Sequence, residues 1–159
     1  MKEKVVSEIN FLLVDDEEEF VTAIVERLRK RGFTVECALT GTEALNKIEK
    51  NDSIDVVILD IRLPDSDGID ILKKIKTKNP LIEVIIISGF ATINSAVESL
   101  KLGAFDYLEK PFDLNELIFK AKQAVLKKRE REAEIFDIKM KPYISEKERN
   151  ELISRILGE

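Results

Sequence analysis

Five short apolar runs alternate with segments of helical spacing along this chain, and that alternation leaves few folds open to it. The runs are INFLLVDD from Ile9, FTVECAL from Phe33, DVVILD from Asp55, EVIIIS from Glu83 and AFDYLEK from Ala104. The first, third and fourth are continuous and rich in Val and Ile, as strands buried on both faces of a parallel sheet are. Between them, Phe20, Val21, Ile24, Val25 and Leu28 form one helical stripe, closed by Gly32 where a C-terminal glycine belongs. Ala44, Leu45 and Ile48 predict a second helix, Ile71, Leu72 and Ile75 a third, and Leu114, Leu117, Ile118, Ala121 and Val125 a fifth. The fourth stripe is Ile93, Ala96, Val97 and Leu100, closed by Gly103. Repeated strand–helix units bring right-handed crossovers and helices on both faces of one sheet. The expected fold is α/β: a doubly wound five-stranded parallel sheet over about residues 8–127, within a domain of residues 1–127.

A length of 159 residues suits one such domain and an appendage. Lys and Arg number 26 against 31 Asp and Glu, so the net charge is 26 − 31 = −5, which argues against direct nucleic-acid binding or attraction to an anionic membrane. The opening MKEKVVSEINF lacks an apolar core of signal-peptide length, and no run approaches the roughly 18 apolar residues of a membrane span. A cytoplasmic location is expected. The single cysteine, Cys37, excludes an internal disulfide and reads as a small buried strand residue. The chain has no histidine, which removes the usual zinc sites, the Ser-His and Cys-His nucleophile systems and the commonest general base. Its chemistry must run on carboxylates, hydroxyls and lysines.

Ligands of doubly wound sheets bind outside the carboxyl ends of the strands, so the residues there matter most. The first strand ends in Asp15 and Asp16, the third in Asp60 and the fourth in Ser88, and the fifth approaches Lys110. Each has a local reading of its own: Asp16 with Glu19 fits a helix-capping box, Asp60 a turn, Ser88 a strand end, Lys110 a solvated surface. Together they are harder to dismiss. Three carboxylates held close repel one another, and a hard cation such as Mg²⁺ takes oxygen ligands of this kind beside a phosphate oxygen. A carboxylate also serves as nucleophile in phosphoryl transfer, and the transferred group needs cations and donors around it. Mg²⁺, Lys110 and the Ser88 hydroxyl meet that need.

The motifs VDDE at 14–17, LDIRLPDSDG at 59–68, ISGFA at 87–91 and YLEKPF at 107–112 stand in the order and spacing of a known family. Over about 120 residues the chain resembles a response-regulator receiver domain of two-component signalling. The resemblance implies a flavodoxin-like strand order of 2-1-3-4-5. It implies that Asp60 is the phosphoacceptor, supplied by a sensor histidine kinase or phosphotransfer protein. Asp16, the Asp60 carboxylate and the Arg62 carbonyl would hold Mg²⁺, with Asp15 acting largely through water. Lys110 would pair with Asp60 and then with the phosphoryl oxygens, and its bond to Pro111 is commonly cis in the family. Ser88 would move to the phosphoryl group and Tyr107 would turn inward after it, remodelling the face made by the fourth helix, fifth strand and fifth helix. Arg62 and Phe90 hold positions that in the family tune how readily water attacks the acyl phosphate. Such a chain is a switch signalling to a downstream protein or output domain, not an enzyme beyond its own phosphorylation and dephosphorylation. The missing histidine fits, because the donor histidine lies on another protein.

A flavin-binding module of similar fold predicts a hydroxyl- and glycine-rich phosphate loop after the first strand, where this chain has the anionic VDDEEEF. A metal-dependent phosphohydrolase predicts a second Asp two residues after the nucleophile, where Arg62 stands. A receiver-like scaffold acting without phosphorylation, or a fragment of a larger transcriptional regulator, also fits the residues. The segment from Gly89 to Phe112 is similar to receivers that precede ATPase-type transcription activators. Residues 128–159 are expected to form a C-terminal helical extension or linker. Within it LKKREREAE reads as a solvated helix, and Ser145 with Glu148 makes a capping box for a last helix carrying Leu152, Ile153, Ile156 and Leu157. That stripe must dock on the domain, pair with a second copy as a homodimer, or meet a partner.

Overall fold

The computed structural model describes residues 8–90 and 92–159, so the opening residues read for a leader, and Ala91 of the ISGFA motif, lie outside the described residues. Five strands, β1 (Asn10–Val14), β2 (Thr34–Ala38), β3 (Val56–Asp60), β4 (Glu83–Ser88) and β5 (Asp106–Glu109), alternate with helices α1 (Glu18–Lys30), α2 (Gly41–Lys50), α3 (Gly68–Lys78), α4 (Ile93–Lys101) and α5 (Leu114–Lys139). A sixth helix, α6 (Glu146–Leu157), follows. All pairings are parallel and the order is β2-β1-β3-β4-β5, the order the resemblance implies. The three continuous apolar runs are thus the three central strands, covered on both faces, while β2 and β5 are the edges.

The register sets the working edge. Val14 pairs with Leu59, Asp60 with Ile87 and Ser88 with Glu109, so the residues ending β1, β3, β4 and β5 stand side by side. One face of the sheet packs Phe11, Leu13, Ile58 and Ile85 against Val21, Val25 and Leu28 of α1 and Leu117, Ala121 and Val125 of α5. The other packs Leu12, Val57, Leu59 and Ile86 against Ala44 and Ile48 of α2 and Leu72 and Ile75 of α3. Burial of each large aliphatic side chain there contributes about 1.5–3 kcal/mol. Gly32 and Gly103 close their helices in the left-handed region, at φ 90° and 102°. Cys37 is half-buried on edge strand β2, less enclosed than its sequence context suggests.

Helix α4 departs from the sequence expectation. The larger residues of its apolar stripe face outward, Ile93 83% exposed, Val97 43% and Leu100 46%, while Ala96 is half-buried. The inward stripe is Ser95, Ser99 and Leu102, small or half-buried, with Ser99 donating to the Ser95 carbonyl at 2.7 Å. Periodicity marks a helix face without saying what it faces, and here two stripes share the period.

The charge run after Val125 is not solvated all round. Lys128 is buried and donates to Asp55 Oδ1 at 2.7 Å, Arg129 lies 3.1 Å from the same oxygen, and Arg131 donates to Glu83 Oε1 at 3.1 Å. Asp55, immediately before β3, and Glu83, the first residue of β4, are buried acids at the edge opposite the site, and these cations neutralise them. Arg131 Nε also donates to the Ile156 carbonyl at 3.0 Å, fastening α6. Leu152, Ile153, Ile156 and Leu157 are half-buried, so the last stripe docks on its own chain. The Ser145 hydroxyl caps α6 by accepting from the Glu148 amide at 3.1 Å.

Candidate functional site

Asp60 closes a fully buried strand and is itself 6% exposed, beside the carboxylates of Asp15 and Asp16. Both its oxygens are held: Oδ1 accepts from the Arg62 amide at 3.0 Å, and Oδ2 from Lys110 Nζ at 3.0 Å. Lys110 donates also to Asp15 Oδ2 at 2.5 Å and to Glu17 Oε1 at 3.3 Å, and rests 4.4 Å above the Phe20 ring. Its amide donates to the Ser88 carbonyl at 2.8 Å, and the Lys110–Pro111 bond is cis, as the resemblance implies. Asp15 is fully buried, with Oδ1 accepting from the Glu17 amide at 2.9 Å. Asp16 is exposed and does not cap α1, whose N-cap is Glu17 and carries no side-chain cap bond. One carboxylate oxygen each of Asp15, Asp16 and Asp60 lie within 4.8 Å of one another. The fold therefore brings Asp15, Asp16, Asp60, Arg62 and Lys110 together.

Three crowded carboxylates against one close ammonium leave a surplus of negative charge. Burial pushes the Asp15 carboxyl up to about 6, overcoming the bonds from Lys110 and the Glu17 amide that pull it down. Burial by itself would lower the Lys110 ammonium, but the bonds and charges of Asp15 and Asp60 outweigh it and hold the group above the ordinary lysine range. The donor set offers only carboxylate oxygens, which suits a hard divalent cation and no soft one.

Ser88 is buried beside the pocket, and its hydroxyl accepts from the Phe90 amide at 3.0 Å. Among the described residues it makes no direct hydrogen bond to Asp60. The Arg62 guanidinium lies 4.0 Å above the Phe90 ring, so the two residues flanking the pocket form one stacked pair. Tyr107 is half-buried on β5, and its hydroxyl meets Ser95 Oγ of α4 at 3.3 Å. Tyr107 is thus linked to the helix bearing the exposed apolar stripe, away from the carboxylates. The contacts of Glu17 and Phe20 with Lys110, and of Ser95 with Tyr107, escaped the sequence reading. Glu17 alone carried a signal, as the third acid of VDDEEEF.

The family model for the response regulator receiver domain matches residues 11–122. An NtrX-like response regulator of Rickettsia felis is 45% identical over 120 residues, which is 74% of this chain and 25% of that protein. The chain thus spans about a quarter of the length of the curated relatives it matches. Among solved structures, a CheY-like receiver domain protein from Methanospirillum hungatei superposes with a TM-score of 0.73 at 32% identity, covering 77% of this chain and 98% of that one. The beryllofluoride-activated receiver domain dimer of NtrC4 superposes with a TM-score of 0.71 at 33% identity, covering 80% of this chain and 99% of that one. The strand order, the acidic pocket with its lysine and these matches over most of the chain agree: it belongs to the response regulator receiver domain family.

Proposed function

We propose that this chain is a phosphorylation switch in which Asp60 takes a phosphoryl group from a phosphohistidine on a sensor histidine kinase or phosphotransfer protein. Receiver domains are signalling switches rather than enzymes with turnover. The observation that carries the reading is the enclosure of Asp60: a nearly buried strand-end carboxylate, fixed at both oxygens and crowded by two further acids. In the transfer, an Asp60 oxygen forms a bond to phosphorus while the phosphorus–nitrogen bond to the donor imidazole breaks, its electron pair returning to nitrogen. Asp15, Asp16, Asp60 and the Arg62 carbonyl would hold Mg²⁺, which when bound neutralises charge on the phosphoryl oxygens.

The chain's own groups do the rest. Lys110, already 3.0 Å from Asp60, follows the phosphoryl oxygens as the second cation. The Ser88 hydroxyl leaves the Phe90 amide to donate to the new group, and Tyr107 leaves Ser95, freeing α4. The stacked Arg62 and Phe90 shield the acyl phosphate from water. The output face is α4-β5-α5, where an apolar stripe already stands in solvent. Its occupant is a downstream protein, an output domain or a second copy, and the NtrC4 receiver supports the last by being a dimer when activated. Residues 1–127 carry the switch and residues 128–159 form a helical extension. A cytoplasmic location accords with the kinase partner; no helix among the described residues is long and apolar enough to cross a membrane.

Intact-mass spectrometry after incubation with Mg²⁺ and a small phosphodonor tests the chemistry. A single phosphoryl adduct is expected, lost in chelator and lost in Asp60→Ala. An adduct that persists in Asp60→Ala would assign the acceptor elsewhere. No adduct in wild type that binds Mg²⁺ and accepts none from any kinase would favour the phosphate-independent scaffold.

A further inference from the structure

The loop of residues 61–67 joins β3 to α3, follows Asp60 directly and carries Arg62. Its base is set by close approach: the Gly68 amide donates to the Ile61 carbonyl at 2.8 Å, and a Cβ on Gly68 would come within 2.5 Å of the Asp60 carbonyl oxygen. Its apex is held by Asp65, an exposed residue that reaches across to another element. Asp65 Oδ1 accepts from the Gly41 amide at 2.9 Å, and Oδ2 from the Thr42 amide at 3.1 Å and the Thr42 hydroxyl at 2.7 Å. The Ser66 hydroxyl donates to Oδ1 as well, at 3.0 Å. Gly41 and Thr42 open α2, where backbone amides have no partner within the helix and the helix dipole favours an anion.

Helix α2 has its own cap, since Thr40 Oγ1 accepts from the Glu43 amide at 3.1 Å. The bonds from Asp65 are therefore additional, and they run between two elements. Glycine at 41 permits the approach: a Cβ there would lie 2.2 Å from Ser66 Oγ and 2.7 Å from Ile71 Cδ1. The Thr42 hydroxyl first, then the Gly41 and Thr42 amides, hold the Asp65 carboxyl well below the usual carboxylate range, so it is an anion throughout the working pH.

We propose that Asp65 is a positioning residue, which ties the apex of the loop to the start of α2 and so fixes Arg62, both its amide on Asp60 and the carbonyl it would offer to Mg²⁺. The inference rests on the Mg²⁺ site described under the proposed function, and loss of a group that orients metal ligands typically weakens metal affinity by about 10–100-fold. Mg²⁺ titration calorimetry on the whole chain, with thermal melts in chelator, separates positioning from capping. Asp65→Ala is expected to weaken Mg²⁺ binding by about tenfold, and Asp65→Asn, which keeps one of the two acceptor oxygens, to recover part of the loss. Thr40→Ala removes a cap from the same helix without touching the loop, and is expected to lower Tm while leaving Mg²⁺ affinity at the wild-type value. Should Asp65→Ala fail to fold, Thr42→Val removes only the 2.7 Å hydroxyl bond and is expected to weaken Mg²⁺ in smaller measure. Wild-type Mg²⁺ affinity in Asp65→Ala, with Tm lowered as in Thr40→Ala, would make Asp65 a helix cap and overturn the proposal alone. Absence of Mg²⁺ binding by wild type would overturn the metal site and this inference with it.

Discussion

Burial and hydrogen bonding pull the Asp15 carboxyl in opposite directions, and burial prevails, lifting it from 3.8 to about 6. A carboxyl raised on folding holds its proton more tightly in the folded chain, so it favours folding at acid pH. In the metal-free protein that contribution is complete below about 3.8, declines as pH rises and is gone above about 6. Cation binding runs the other way, because the ligand must be ionised. Saturating Mg²⁺ is therefore expected to raise Tm at pH 7.5, with a stabilisation of about 1.4 kcal/mol when Mg²⁺ is tenfold above its Kd. Thermal melts at pH 5 are expected to lose most of that shift, and an equal shift at both pH values would contradict the assignment of Asp15 to the pocket. Asp15, Asp16, Asp60 and Lys110 were legible in the sequence because strand ends in a parallel sheet converge. The site contacts of Glu17, Phe20 and Ser95 were not, because they depend on helix orientation and side-chain direction, which spacing alone leaves open.

Helix α4 holds the clearest division between stability and signalling. Its inward residues Ser95 and Ser99 contribute little apolar burial, and its large residues Ile93, Val97 and Leu100 stand in solvent. Val97→Lys is therefore expected to change stability by less than about 0.5 kcal/mol, and to abolish any phosphorylation-dependent association. Sedimentation velocity and urea unfolding check the two halves of that statement. Ile75→Ala, cut from the fully buried core under α3, is expected to cost about 2–5 kcal/mol. The elements themselves were legible, since five runs and five stripes became five strands and five helices. The direction of the α4 stripe was not, because an apolar face predicts burial against something without naming the chain that supplies it.

For the molecule as a whole, the two edges of the sheet do different work. The carboxyl edge gathers the acids of the site, and the opposite edge buries Asp55 and Glu83 under cations from α5. Asp55 immediately precedes the strand that ends in Asp60 and Glu83 begins the one that ends in Ser88, so the helix at the output face is anchored to the same two strands as the site. Lys128→Met leaves Asp55 with only part of its compensation and is expected to cost about 3 kcal/mol, most of it recovered by adding Asp55→Leu. Urea unfolding of the single and double variants measures the difference, and additive losses would mean that the pair is not coupled. The strand order followed from the family resemblance rather than from spacing, and the anchoring role of LKKREREAE was hidden because its acidic partners lie far away in sequence.

Hydrogen exchange of the phosphorylated and unphosphorylated chain tests the central claim, that chemistry at Asp60 is felt at the α4-β5-α5 face. Altered exchange across residues 92–109 and the start of α5 is predicted on phosphorylation, absent in Asp60→Ala and diminished in Ser88→Ala. A chain that carries the phosphoryl group on Asp60 with exchange unchanged across that face would contradict the account.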